Sequence, residues 1–456
     1  MRKPLQKENA IIKNMESHKS NIEERLNRHP KLKNRMESLL GLVENSTKET
    51  ADQAELYVIE ELRKMGSELL HEWALEKESM LFEGVQNNRD GKDIRRHGKK
   101  NLEWYTTYGT ISIDERLFLE DGKLLRPFVN SAEIKCKEYS MPLQRRVTDF
   151  GADIPFGKVS NKLEEHYGIS IPYNAVRDIT ERQAQEIMEN EILQTKIPEI
   201  AGVGTIIAET DGTMIPIVAT ECEGCEEPVD KRKNRKCHWI EARLSMAYQE
   251  GSVSPFFQGT IGLPDEVGDQ LVHCAINSGL GQDTKIHSVG DGAPWIANQI
   301  DRVFGTQGSY LIDFYHLCEY LSPASKVCAP DDYDNFFSKH KKLMKENDLE
   351  KVLEELKPHI EADSIPDEKA PVRCCCRYIE NRPGQFNYKG AIESGLPIGS
   401  GEIESAHRYV IQGRLKISGA WWKKDNARKM ISLRILRENK LWDKYWDGYW
   451  ENKKAA

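Results

Sequence analysis

AETDGTMIPIV, residues 208–218, sets an aspartate, Asp211, inside an apolar and β-branched run. Runs of this composition form buried strands. An Asp-Gly pair is ordinarily a turn, as the sequence expects at Asp90-Gly91 and Asp121-Gly122. Asp211-Gly212 differs because apolar residues flank it on both sides. Its carboxylate is expected within or beside a buried strand, where an uncompensated charge is costly. Reading outward, IHSVGDGAPWI at 286–296 ends a second strand on Asp291, with a helix starting at Pro294. The C-terminal end of a strand in an open α/β sheet is where sites form. A third block, PIGSGEIESAHRYVIQGRLKISGAWW at 397–422, puts Glu402 and Glu404 just past a Gly-Ser-Gly turn, at the start of a helix that soon becomes basic. Two apart, these glutamates point to different faces of a helix, so they compete for one position. The other can serve as a first-turn acid favouring the helix dipole. Three such acids supply oxygen ligands for two hard divalent cations, which can clamp the attacking and leaving oxygens of a phosphodiester.

From residue 200 the pattern alternates. Strands are expected at Thr205–Val218, Ile240–Gln249 and Pro255–Ile261, then a helix at Asp265–Ser278. A strand at Thr284–Asp291 follows, then one at Tyr310–Phe314 running into a helix at His316. Three strands, a helix, a strand, a helix and a strand is the order of an RNase H-like core. The expected fold is therefore multidomain α+β, with an RNase H-like α/β core interrupted by an all-α insertion. Helical and helix-turn-helix regions precede it. Residues 1–86 read as an N-terminal helical region suited to dimerisation. Residues 100–195 read as a small β region with a hairpin turn at Asp121-Gly122, followed by a helix-turn-helix around Gly168 and Pro172. The core falls in 200–325 and 386–450, the latter carrying the glutamate helix and a basic tail, and 326–385 is the helical insertion.

At 456 residues, with 39% hydrophobic and 30% charged residues, the chain is long enough for two or three domains and a sizeable core. No apolar run approaches the roughly 20 residues of a membrane span. The opening MRKPLQKENAIIKN lacks the apolar core of a secretory signal, so a cytoplasmic protein is expected. The scatter of ten cysteines suits reduced thiols better than a disulfide framework. Net charge is −8, yet nine Lys or Arg face two acids between Arg414 and Lys440, and Lys231–Lys236 is a second basic island. Phosphate contacts are local, so the acidic total does not exclude DNA. Cys222, Cys225, Cys237 and His238 are four candidate zinc ligands, although adjacent ligands at 237 and 238 are awkward. Cys374–Cys376 reads as helix core. The sequence has no Ser-His-Asp constellation, P-loop or dinucleotide fingerprint.

Five blocks, DGTMIPIV, GDGAPWI, DFYHLCEYL, NRPGQFNYKG and GLPIGSGEIESAHRYVIQGRLKISGAWW, resemble the signature blocks of a bacterial insertion-sequence transposase family, the ISKra-type group, itself distantly similar to the Mutator-like transposases. They run in the same order from about residue 205 to 446. The long C-terminal block is specific, whereas the short Asp-Gly motifs alone are not. The resemblance implies a DDE transposase in which Asp211 and Asp291 are the aspartates and Glu404, rather than Glu402, is the glutamate. His316, in DFYH, falls where related transposases carry a supporting histidine. Residues 221–238 belong to none of these blocks.

The implied cofactor is a pair of Mg²⁺ or Mn²⁺ ions, and the implied partner is double-stranded DNA, both transposon ends and target. A homo-oligomer on DNA, in the bacterial cytoplasm and associated with the nucleoid, is expected because two ends must be paired. Arg408, Arg414, Lys416, Lys423 and Lys424 would hold the DNA backbone. Trp421 and Trp422 would stack on a frayed base or else cap the core. The rival readings are a catalytically inactive, transposase-derived DNA-binding protein and an RNase H-like nuclease.

Overall fold

The computed structural model describes residues 22–44, 49–87, 93–134, 137–220 and 235–455. Two compact units result: residues 1–150 with 156–176, and residues 151–155 with 177–456.

In the first unit the helices Ile22–Arg28, Pro30–Glu44 and Ala51–Asn87 precede a four-stranded sheet. Its strands are β1 (Ile94–Thr106), β2 (Gly109–Glu120), β3 (Lys123–Leu125) and β4 (Glu138–Tyr139), in the order β3-β2-β1-β4. Asp121 and Gly122 both have positive φ (48° and 78°), the conformation of a two-residue hairpin turn of type I′. Ala74 of the long helix packs with Leu102, Ile111, Ile113 and Phe128 as the core of this unit. β1 begins at Ile94, earlier than its sequence indicates. Residues 95–101 are all exposed, so no apolar alternation marks them, and pairing with β2 makes the strand. The helices Phe156–Tyr167 and Tyr173–Glu189 are separated by a turn at Gly168, where φ is +65°. A further helix, Met141–Asp153, precedes them.

The second unit is built on a five-stranded sheet of β5 (Thr205–Thr220), β6 (Arg235–Gln249), β7 (Phe256–Thr260), β8 (Lys285–Gly290) and β9 (Gly308–Ile312). The strand order is β7-β6-β5-β8-β9, with β5–β6 and β6–β7 antiparallel, and with β5–β8 and β8–β9 parallel. The parallel pairings require crossovers, supplied by the helices Pro264–Asn277 and Pro294–Phe304. Their apolar faces bury Leu271, Ala275, Ile296 and Ile300 against Ile206, Ala208 and Ile286 of the sheet. A second core lies among the helices Phe314–Cys328, Tyr333–Lys345, Leu349–Leu356 and Pro371–Glu380, where Leu321, Met344, Leu356 and Cys375 are fully buried. Among the described residues no helix is long and apolar enough to cross a membrane.

Candidate metal centre

Side chains two apart on a strand share a face. Glu209, Asp211 and Thr213 of β5 therefore point the same way. The pairing of β5 with β8 ends at Glu209–Val289, so Asp211 stands just where the neighbouring strand gives out. The chain leaves β8 there through Gly290 into Asp291. The Asp291 Oδ1 accepts the Ala293 N–H at 2.8 Å, opening the helix Pro294–Phe304. Its turn is held from outside. The Tyr378 hydroxyl donates to the Asp291 carbonyl (2.8 Å), Arg382 Nε donates to the Gly292 carbonyl (2.8 Å), and the Gly292 N–H donates to the Tyr310 hydroxyl (2.9 Å). Glycine is required at 292, where φ is +81° and a Cβ would lie 2.6 Å from the Tyr378 hydroxyl oxygen.

The glutamate segment is fastened to the same sheet end. Asp313, at the end of β9, caps the following helix by accepting the Tyr315 and His316 N–H groups at 2.6 and 3.0 Å. Its other oxygen accepts the N–H and hydroxyl of Ser400, both at 2.6 Å. Gly399 has no room for a side chain, because its Cβ would sit 2.8 Å from the Tyr315 ring. One turn on, the Ile403 N–H donates to Glu209 Oε2 at 3.1 Å. Ile403 is buried between two exposed glutamates, which sort to different neighbours. Glu404 exerts its charge on Asp211, and Glu402 exerts its own on Glu209, Tyr248 and Tyr409. The residues after Ala406 form a π-helical turn, His407–Gln412.

Burial, with the charges of Asp291, Glu404 and Glu241, pushes the Asp211 carboxyl up to about 6, against a partial counterweight from the Gly212 N–H. Its neighbours are thus acids whose repulsion a cation would relieve. Among the described residues, no three His, Cys, Asp or Glu side chains are gathered at metal-ligand spacing. The three acids are electrostatic neighbours and not a closed ligand shell. The donor set is nonetheless all oxygen and all anionic, which fits a hard divalent ion such as Mg²⁺ or Mn²⁺.

Three residues beside the acids escaped the sequence reading. Glu209 is fully buried and also takes a hydrogen bond from the Tyr248 hydroxyl at 3.4 Å. Its two-residue spacing from Asp211 was the available signal. Asp313 was legible as an N-cap before Phe-Tyr-His. His407 is 2% exposed, with its Nε2 3.5 Å from Asp211 Oδ2, and burial pushes its imidazole down to about 4, leaving it neutral.

Glu209 has a measurable consequence. Burial pushes its carboxyl up to about 8, partly offset by the Ile403 N–H and raised further by Glu402 and Asp313. The folded chain therefore holds this proton more tightly than the unfolded chain does. Stability on this account is greatest below about 4.5 and falls as pH rises towards 8. In EDTA, wild type is expected to lose on the order of 4 kcal/mol more between pH 5 and pH 8.5 than Glu209→Gln, as read by urea unfolding. Parallel losses would show that the carboxyl is ionised throughout.

His316 lies at one remove from the acids. Its ring is 6.1 Å from that of Tyr378, which holds the Asp291 carbonyl, and its Nδ1 pairs with Glu319 at 3.3 Å. Lys416 Nζ donates to Thr213 Oγ1 at 2.9 Å, on the strand face of Asp211. Arg408, Lys423, Lys424 and Trp421 are exposed. Arg414 is not at the surface where DNA contact was expected, and buried Trp422 takes the alternative place, capping the core. Arg414 is 2% exposed, donates from Nε to the Gly151 carbonyl at 3.0 Å, and lies 4.8 Å from the Trp422 ring centroid. Burial pushes its guanidinium down to about 10. Trp422 is held against β5 by its carbonyl, which accepts the Val218 N–H at 2.8 Å. Of the zinc candidates, Cys222 and Cys225 lie outside the described residues. Cys237 and His238 are consecutive on β6, so their side chains point to opposite faces and do not join in one ligand set.

Residues 277–454 match the model of a family described as an uncharacterised protein family, UPF0236. That span includes Asp291, Asp313, Glu402, Glu404 and His407, but not Asp211. The chain is also similar to the "UPF0236 protein in vanSb 3'region" of Streptococcus gallolyticus, at 23% identity over 345 residues, covering 74% of this chain and 72% of the relative.

Proposed function

We propose that this chain is a metal-dependent DNA transposase that binds the ends of an insertion sequence, cleaves DNA strands there and joins them to a target. The observation that carries this reading is the position of Asp211. It lies on the central strand, where pairing with β8 stops, and burial, with the charges of Asp291 and Glu404 added, raises its carboxyl. The strand order β7-β6-β5-β8-β9, with three antiparallel and two parallel members, supports an RNase H-like core, and the helices between β9 and Gly401 support an insertion within it.

Asp211, Asp291 and Glu404 would hold two Mg²⁺ or Mn²⁺ ions, which supply Lewis acidity to the attacking and leaving oxygens. The residues' own contribution is to present ionised oxygens from a fixed frame. Asp291 is fixed through its turn, and Glu404 through Ser400–Asp313 and Ile403–Glu209. In the first step a water oxygen bonds to phosphorus and the P–O3′ bond breaks, freeing a 3′-hydroxyl. In the second, that hydroxyl oxygen bonds to a target phosphorus, and the 3′-oxygen of the target strand leaves with a proton. Exposed Arg408, Lys423 and Lys424, with Lys416 beside Thr213, supply positive charge for the backbone. Pairing two ends calls for at least two copies. The test is strand cleavage and joining on labelled DNA with Mg²⁺ or Mn²⁺. End binding without cleavage would favour the inactive DNA-binding reading, and cleavage without joining the nuclease.

A further inference from the structure

β5 and β6 run on together well past their neighbours. β8 pairs with β5 only as far as Glu209, and β7 pairs with β6 only from Arg243 to Ala247. Residues 213–220 with 235–242 are therefore a two-stranded arm extending from the strand that carries Asp211. The chain returns along one edge of this arm, where Ile217 bridges Trp422 in the parallel sense. Directly opposed residues share a face. One face thus carries Thr213, Ile215, Ile217 and Trp422, all buried. The other carries Met214, Pro216, Arg235, Trp239 and Trp421. On this second face Met214 is 47%, Trp239 58% and Trp421 60% exposed, and the Arg235 guanidinium lies 6.0 Å from the Trp421 ring centroid. Among the described residues its one acid, Glu241, is paired with Arg243, and exposed Lys423 and Lys424 directly follow the tryptophans.

We propose that this face of the arm is a stacking platform for unpaired DNA, in which Trp239 and Trp421 receive the faces of bases and Arg235, Lys423 and Lys424 receive the backbone. Two wide indoles on a backbone fixed by strand pairing offer stacking area at little entropic cost, and every base has a π-face to meet them. Flanking cations select a polyanion over an apolar protein surface. The centre of the platform lies about 17 Å along the strand from Asp211, at 3.3 Å per residue, on the opposite face from its carboxylate, so only a strand led round the edge of the arm meets it. The choice of DNA rests on the function proposed above, but the platform does not depend on the carboxylates.

The test uses the full chain in EDTA, with fluorescein-labelled oligothymidine followed by anisotropy and by quenching of tryptophan fluorescence. Trp239→Ala and Trp421→Ala are each expected to weaken oligothymidine binding about tenfold, with duplex binding little changed and with Trp→Phe at either position restoring most of the loss. Thermal unfolding of each variant checks that the fold is intact. Wild-type affinity in either alanine variant, or no oligothymidine binding by wild type, would overturn the proposal. So would a shift from dimer to monomer in sedimentation of Trp239→Ala with oligothymidine affinity unchanged, which would make the face a contact between copies. Platform binding in a chain that cleaves nothing would sink the transposase reading alone, and cleavage with no tryptophan effect would sink the platform alone.

Discussion

Asp211→Asn, Asp291→Asn and Glu404→Gln are each expected to lower strand cleavage at least 10³-fold while leaving binding to DNA ends within a few-fold of wild type. The loss corresponds to about 4 kcal/mol of barrier, the scale expected when an electrostatic partner of a phosphoryl-transfer transition state is removed. The amide substitutions are nearly isosteric, so the fold should survive. For Asp211 it should gain, because the substitution removes a carboxylate that burial and three neighbouring acids disfavour. Unfolding of Asp211→Asn in EDTA is accordingly expected at or above the wild-type midpoint. Glu402→Gln is the discriminating control. Glu402 exerts its charge on Glu209, whereas Glu404 exerts its own on Asp211, and loss of Glu402 should cost less than tenfold. Cleavage that survives Glu404→Gln but not Glu402→Gln would reassign the third acid.

The second large effect concerns stability. Arg434, in the helix Lys424–Glu438, is 7% exposed. It donates to the carbonyls of Tyr409, Val410 and Ala152, and to Asp153 Oδ1 at 2.8 Å. Two of these carbonyls belong to the π turn that follows the glutamates. Arg434→Met keeps much of the volume but removes all four of these hydrogen bonds, three of them to main-chain carbonyls, and a loss of about 3–5 kcal/mol is expected. In a unit of this size, that is a fall in Tm on the order of 10 °C. Arg437→Met is the contrast. Arg437 reaches the other Asp153 oxygen at 2.7 Å from a more exposed position, and its removal should cost about 1 kcal/mol or less. Equal losses in the two variants would place the energy in the Asp153 ion pair and not in the carbonyls. Because the π turn leads directly from Glu404, cleavage by Arg434→Met should fall even below its melting temperature.

Strands that carry apolar β-branched residues announced themselves. Ile206, Ile207, Ile215 and Ile217 of β5 and Ile286 and Val289 of β8 are all buried, and the runs containing them were legible as strands. β1 was not, because its first half is a solvated ribbon that only its partner makes a strand. Asp211, Asp291 and the pair Glu402 and Glu404 could be picked out because an acid amid apolar neighbours, or just past a glycine turn, violates the surrounding pattern, and only the family resemblance favoured Glu404 of the pair. Glu209 obeys the same period of two and was not singled out. Trp422 was read either as a base-stacking residue or as a cap over the core, and its burial matches the cap, whereas Arg414 was read as part of a DNA-facing basic surface. The π turn at His407–Gln412 spoils that inference. A single extra residue rotates everything after it by roughly a quarter-turn or more, and no hydrophobic period foretells where it is inserted. Arg414, directly after the turn, faces inward to Gly151, whereas Trp421 and Trp422 lie past the helix end, where non-helical chain bridged to β5 leaves the first outside and the second buried.

The most direct measurement is a cleavage and joining assay with the purified wild-type chain. It uses end-labelled duplexes taken from the DNA flanking its own gene, with Mg²⁺, with Mn²⁺ and with EDTA. The account predicts metal-dependent nicks at one fixed position that leave 3′-hydroxyls, followed by slower products in which those ends are joined to a second duplex. Specific binding of the same duplexes with no nick in either metal would contradict it and leave a protein that recognises DNA without cutting it.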